Sequence, residues 1–203
     1  MKILKIYENN INERHIDEAV EALRDGHIII YPTDSVYGLA VDALNKRAVE
    51  QLCRVKGLNP EKNLLSIVCA DLSQASDYVR IDNKVFSIIK DYLPGAFTFV
   101  LPASTRLPKI FKNRKTVGLR VPANDIARKL AQELGNPLLT GSVDIDEDNP
   151  EASVEPENIA LTYQNDVALV IDSGEGGLTP TTLVDLSDPD EPVVVRKGKG
   201  VFQ

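Results

Sequence analysis

Apolar positions along the chain follow two rhythms that alternate with one another. Ile16, Ala19, Val20 and Leu23 fall on one face of a helix, with Gly26 just beyond as a stop. Ala48, Leu52 and Val55 repeat that spacing up to Gly57. Asp82 is placed to cap a helix carrying Val85, Ile88, Ile89 and Leu93, closed by Pro94-Gly95. A fourth helix carries Ile126, Ala127, Leu130, Ala131 and Leu134 and ends at Gly135. Between them lie short apolar runs at residues 27–31, 64–69, 97–101, 116–121, 137–140, 167–171, 182–186 and 192–196, which read as strands. Most are continuously apolar, as in strands covered on both faces. The alternation predicts a layered α/β fold. The last three strands are not separated by long helices, so a mixed sheet is expected.

Composition narrows the class. At 203 residues and 43% hydrophobic content, one domain spanning residues 1–203 is expected. The first ten residues turn polar too early for a signal peptide, and no apolar run is long enough to span a bilayer. A cytoplasmic protein is expected. Cys53 and Cys69 lack zinc-ligand spacing and read as buried thiols in a reducing compartment. The net charge of −7 argues against holding nucleic acid by bulk charge. One local basic cluster, Arg106, Lys109, Lys112, Arg114 and Lys115, reads either as a solvated loop face or as an RNA patch. Residues 144–157 hold seven carboxylates and no cation. They read as a mobile surface loop, with a metal site as the second reading.

Candidate chemistry sits at strand ends. There is no phosphate-binding Walker loop, zinc-protease helix or nucleophile elbow. His15 and His27 lie near element starts, so an obvious histidine base is missing. After the strand ending at Tyr31 come Thr33, Asp34, Ser35 and Tyr37, then Gly38. This is either a ligand loop at a strand terminus or a turn held by its own Asp and Ser side chains. Lys56 follows a helix and Ser66 lies on the following strand. Arg120 ends an apolar strand, which calls for an anion, either a ligand or an internal carboxylate. Thr140-Gly141-Ser142 ends another strand, and segment 174–182 brings glycines and hydroxyls before the next. Arg196-Lys197-Gly198-Lys199-Gly200 sets open backbone beside cations, as a polyphosphate site or a basic tail.

The run Pro32-Thr33-Asp34-Ser35-Val36-Tyr37-Gly38-Leu39 resembles the PT-[DE]-T-x-YGL signature of the YrdC/YciO family. The resemblance continues through Lys56, Pro94-Gly95-Ala96-Phe97-Thr98, Gly118-Leu119-Arg120-Val121-Pro122, Pro180-Thr181-Thr182-Leu183-Val184-Asp185 and Val195-Arg196-Lys197-Gly198, in the family's order. It implies a twisted, mixed open sheet flanked by helices around a large concave site, a fold related to that of dihydroxybutanone-phosphate synthase. It also implies synthesis of threonylcarbamoyl-AMP from L-threonine, bicarbonate and ATP, with magnesium, for modification of a tRNA adenosine. By resemblance Thr33, Ser35, Tyr37 and Arg120 lie on the threonine side. Lys56, Ser66, Thr140, Ser142, Thr181 and Arg196 lie on the nucleotide side. The extra C-terminal domain of longer family members is not expected here.

Two positions depart from the synthase pattern. K-x-R reads Lys56-Gly57-Leu58, and S-x-N reads Ser142-Val143-Asp144. A guanidinium on phosphate is worth about 1.5–3 kcal/mol. A carboxylate about 4 Å from a phosphate charge costs about 4 kcal/mol at an effective dielectric near 20, unless it holds magnesium instead. With residues 59–63 and 178–185, the pattern is closest to the YciO-like branch. Three functions follow: a threonylcarbamoyl-AMP synthase weakened by Leu58 and Asp144, a non-catalytic nucleotide- or double-stranded-RNA (tRNA)-binding protein of the same fold, or an enzyme for another acyl or sugar-phosphate substrate. Oligomeric state is not legible.

Overall fold

The structure, a computed structural model, describes residues 1–112 and 115–203. Its helices are α1 (Glu13–Arg24), α2 (Lys46–Val55), α3 (Leu72–Ser76), α4 (Asn83–Ile89), α5 (Asp125–Leu134) and α6 (Pro156–Thr162). Its strands are β1 (Lys2–Lys5), β2 (Ile29–Tyr31), β3 (Gly38–Asp42), β4 (Ser66–Val68), β5 (Phe97–Pro102), β6 (Thr116–Arg120), β7 (Leu138–Ser142), β8 (Leu169–Asp172), β9 (Thr182–Asp185) and β10 (Val193–Arg196). All the strands join one sheet in the order β1-β8-β2-β3-β7-β4-β6-β5-β9-β10. Parallel pairs such as β4 with β6 sit beside antiparallel pairs such as β3 with β7. The sheet is therefore mixed, as the helix-poor end of the sequence suggests.

Local chemistry explains the helix boundaries. The Asp82 carboxylate accepts from the amides of Lys84 and Val85 at the start of α4. The helix stops at Ile89, earlier than the apolar spacing out to Leu93 predicts. The amides of Tyr92 and Leu93 both turn back to the Ile89 carbonyl ahead of Pro94. In α5 the Asn124 side chain accepts from Ala127, and Gly135 closes the helix at φ 77°.

Four elements escape the sequence reading. β1 is a half-polar strand pairing in parallel with β8. β3 begins inside the segment read as a ligand loop or turn, and all five of its residues are buried. α3 is a single short turn. α6 begins at Pro156, inside the acidic stretch, and that stretch also contains a 3-10 turn at Pro150–Ser153. The expectation of one continuous loop over residues 144–157 is corrected to that extent.

Strand alternation builds two cores. Ile28 and Ile30 enter one apolar cluster, whereas Ile29 and Tyr31 enter the other. The first cluster also takes Leu139, Ile67, Leu119, Phe99 and Val184 from β7, β4, β6, β5 and β9, together with Leu52 of α2 and Ile89 of α4. The second takes Ile16 of α1, Leu130 of α5 and the opposite-phase residues Ala40, Val68 and Leu138. Helices α1 and α5 thus cover one end of the second face. Further along that face the same strand phase carries Thr140, Ser66, Gly118 and Thr98 instead of large apolar side chains.

Gly118 lets these strands close up. A Cβ there would fall 2.5 Å from Ser66 Oγ and 2.8 Å from Thr98 Cγ2. Gly118→Ala should lower unfolding free energy by about 1–3 kcal/mol through this overpacking, as measured by urea denaturation. A change near zero would mean that β4 and β5 yield freely.

Candidate functional site

The uncovered part of the second face forms a cavity of about 330 Å³. Its floor crosses six neighbouring strands. Thr140 and Ser142 come from β7, Ser66 from β4, Arg120 from β6, Thr98 from β5, Leu183 from β9 and Arg196 from β10. Thr181 precedes β9, and Lys56, Leu58 and Leu64 complete the lining. All six residues expected on the nucleotide side therefore meet in one place. Thr98 Oγ1 and Thr181 Oγ1 lie 2.7 Å apart, and Thr140 Oγ1 is 2.7 Å from the buried Tyr31 hydroxyl. Burial drives the Tyr31 pKa upward, so that hydroxyl keeps its proton.

Arg120 closes one end of the cavity. Its Nη2 donates to Asp34 Oδ1 at 3.0 Å and to Ser35 Oγ at 3.1 Å. The Arg120 and Asp34 side chains are only 7% and 8% exposed, so this is a buried ion pair. Asp34 Oδ2 also accepts from the Ala123 amide at 2.7 Å. The arginine's Nε is buried and has no acceptor among the described residues. The internal carboxylate that the sequence leaves open is thus Asp34.

Behind this pair lies a second, more open cavity of about 590 Å³, lined by Thr33, Asp34, Ser35, Glu175 and Lys199 among others. Thr33 and Ser35 face this side, not the first cavity. Thr33 Oγ1 donates to the Val36 carbonyl at 2.7 Å and accepts from the Ser35 amide at 3.0 Å, so the segment is also a self-bonded turn. Lys199 Nζ reaches the Asp34 carbonyl at 2.5 Å and ties the late basic segment to this loop.

Tyr37, expected on the threonine side, is engaged with backbone. It lines neither cavity. Its hydroxyl donates to the Gly174 carbonyl at 2.8 Å and accepts from the Ser173 amide at 3.0 Å. Burial pushes its pKa up. Its side chain secures the 173–176 segment and has no hydroxyl proton to spare for threonine.

The cations differ in how they are held. Lys56 pairs with Asp144, and its side chain lies along Gly141. Tyr163 fixes that aspartate twice: its hydroxyl accepts from the Asp144 amide at 3.0 Å and donates to Oδ2 at 2.9 Å. Burial, reinforced by the Asp144 carboxylate, pushes the Tyr163 hydroxyl up to about 12 despite the amide bond, so it stays a donor. For Asp144 partial burial acts upward, but the bonds from Lys56 and Tyr163 prevail and hold the carboxyl below its ordinary 3.8. Arg196 Nη2 donates to the Thr181 carbonyl at 3.0 Å. Lys56 and Arg120 each have a carboxylate partner, whereas Arg196 has none among the described residues.

The magnesium implied by the family resemblance finds no ready ligand set. Asp144 is committed to Lys56 and Tyr163, and no group of three or more His, Cys, Asp or Glu fit to hold a metal occurs among the described residues. The residues present do not fit a resident ion. In the basic cluster, Arg106 pairs with Asp77 at 3.0 Å, and Arg114 lies outside the described residues.

Residues 21–198 match the sequence model of the Sua5/YciO/YrdC family, whose description reads telomere recombination. The chain belongs to that family. It is 40% identical to the uncharacterized protein YciO of Escherichia coli over 197 residues, 96% of this chain and 94% of that one. The crystal structure of E. coli YciO superposes with a TM-score of 0.89 at 38% identity, covering 99% of this chain and 98% of that one. A threonylcarbamoyl-AMP synthase of Bacillus subtilis is 30% identical over 94% of this chain and 55% of its own length. The structure of Pyrococcus abyssi Sua5 complexed with L-threonine superposes with a TM-score of 0.86 at 30% identity, covering 98% of this chain and 58% of that one. The open, twisted mixed sheet flanked by helices is thus that of the Sua5/YciO/YrdC family. No helix among the described residues is long and apolar enough to cross a membrane.

Reading residues one motif at a time misses the partners. Leu64 and Leu183 make the cavity less polar than its motifs suggest. Tyr163 lies beyond the acidic stretch and carries no motif, so nothing in the sequence ties it to Asp144.

Two outcomes follow from this geometry. Asp34→Ala strands a buried guanidinium and should cost about 3–5 kcal/mol in urea unfolding, whereas Asp34→Ala combined with Arg120→Leu should cost less. Asp144, with its folded-state pKa depressed, stabilises the fold fully above 3.8 and loses that contribution as pH falls through the folded value. The stability gap between the native chain and Asp144→Asn should therefore be constant from pH 5 to 8 and shrink in acid melts below about pH 4. A gap that changes between pH 5 and 8 would contradict the Lys56–Asp144 pairing.

Proposed function

We propose that the cavity binds an adenine nucleotide beside threonine and that the chain forms threonylcarbamoyl-AMP from L-threonine, bicarbonate and ATP. The observation that carries this reading is the convergence of Arg120, Arg196, Lys56 and the hydroxyls of Ser66, Thr98, Thr140, Ser142 and Thr181 on one cavity. Its volume lies within the range of small-ligand sites. A threonine complex of a Sua5 structure that covers 98% of this chain supports the amino-acid side of the reading.

The chemistry needs little from the protein beyond alignment and charge. Threonine's amine and bicarbonate condense with loss of water to a carbamate. A carbamate oxygen then bonds to the α-phosphorus of ATP while the bond from that phosphorus to the bridging oxygen of pyrophosphate breaks. The nucleophile is already an anion, so no histidine base is required. Arg196 supplies the cation without a carboxylate partner for charge growing on pyrophosphate. The hydroxyls hold the two reactants in line. Magnesium would come with the phosphates of ATP. Leu58, where the synthases carry arginine, and Asp144, which engages Lys56, both weaken the hold on a polyphosphate and make turnover slow.

Pyrophosphate release should require threonine, bicarbonate and ATP together. Release that is absent, or indifferent to threonine, would defeat the synthase reading. Arg196→Ala should reduce that release by about ten- to a hundredfold. Its side chain sits on an exposed strand, so the thermal unfolding midpoint should barely move. Binding of tRNA or double-stranded RNA draws less support, because Arg106 is engaged and the chain is acidic.

A further inference from the structure

Counting charge around the cavity gives a result that its motifs do not. Lys56 is cancelled by Asp144 and Arg120 by Asp34, which leaves Arg196 as the uncompensated cation. The position next to Lys56 in the lining belongs to Leu58, and Leu64 and Leu183 add two more apolar side chains. The Asp144 carboxylate is not a casual surface group. Tyr163, 5% exposed, grips both its amide and its Oδ2, so this exposed carboxylate outside the lining is held against Lys56, which lies in it.

We propose that Asp144, fixed by Tyr163, sets the cavity's specificity: by neutralising Lys56 it tunes the site to an adenylate ester, whose phosphate bears a single negative charge, in preference to a free nucleoside triphosphate. The proposal rests on the adenine-nucleotide reading above and sharpens it to a ligand class. Asp144 acts through Lys56 and is a positioning residue. An acyl-adenylate carries one phosphate charge, which Arg196 balances. A triphosphate brings several, and the apolar Leu58 side offers them nothing. Asp144 acts on those charges by holding Lys56, the lysine of the lining, in an ion pair outside the cavity. The site therefore holds an acyl-adenylate more firmly than the triphosphate from which it would be made.

The test is calorimetric titration with three probes: ATP without metal, ATP with magnesium, and a threonylcarbamoyl N-acylsulfamoyl adenosine, whose linker holds one negative charge where threonylcarbamoyl-AMP has its phosphate. The native chain should bind the acylsulfamate at least about tenfold more tightly than metal-free ATP. Asp144→Asn, which keeps shape and removes charge, should strengthen ATP binding by about tenfold or more and leave the acylsulfamate within about twofold. Tyr163→Phe should shift the same ratio in the same direction by a smaller factor, which a merely structural role for the hydroxyl would not do, since loss of fold weakens both ligands alike. Adding salt should narrow the difference between the native chain and Asp144→Asn. Equal affinity for ATP and the acylsulfamate in the native chain, or no change of ratio in Asp144→Asn, overturns the proposal while leaving the nucleotide site standing. Magnesium-dependent ATP binding that Asp144→Asn abolishes also overturns it, by making Asp144 a metal ligand. Failure of all three probes to bind removes the nucleotide reading and this proposal with it.

Discussion

The site depends on one constraint, the two-residue period of strands that are buried on both sides. Across β7, β4, β6, β5 and β9 one phase sends Leu139, Ile67, Leu119, Phe99 and Val184 into a continuous apolar layer. The other phase is then obliged to face the opposite side. Where α1 and α5 cover that side the residues are Leu138, Val68 and Ala40. Where no helix covers it they are Thr140, Ser66, Gly118 and Thr98. A slip of one residue in any strand would put a hydroxyl in the core and a leucine in the cavity. The apolar layer thus fixes the positions of polar groups that never touch it.

Burial of charge is the second theme, and it is managed in two different ways. The Arg120–Asp34 pair is almost wholly removed from water, and extra bonds to Ser35 and the Ala123 amide offset part of its desolvation. It divides two cavities as a rigid partition. The Lys56–Asp144 pair sits at the rim, with a buried lysine and an exposed carboxylate. Water screens it more, so it acts less as a brace than as a modifier of the potential inside.

Much of this was legible in the sequence, and the rest was hidden for physical reasons. Continuous apolar runs announced most strands, and helical spacing closed by Gly26, Gly57 and Gly135 announced the longer helices. The six residues expected on the nucleotide side do share a cavity, because strand-end polar groups on neighbouring strands converge. The backbone bonds of Tyr37 were hidden, since a tyrosine in a polar loop looks the same whether it faces a ligand or anchors a backbone. β3 was concealed by the glycine and polar residues that precede it. The pairing of Lys56 with Asp144 spans 88 positions, and no local pattern encodes a contact of that range.

The bond from Lys199 to the Asp34 carbonyl joins residues 165 positions apart. The first cavity draws its lining from Lys56 through Arg196. During synthesis, β2 to β7 emerge before β9 and β10 can flank them. Such dominance of distant contacts slows folding. The cavity of a nascent chain therefore stays incomplete until the final strands have docked.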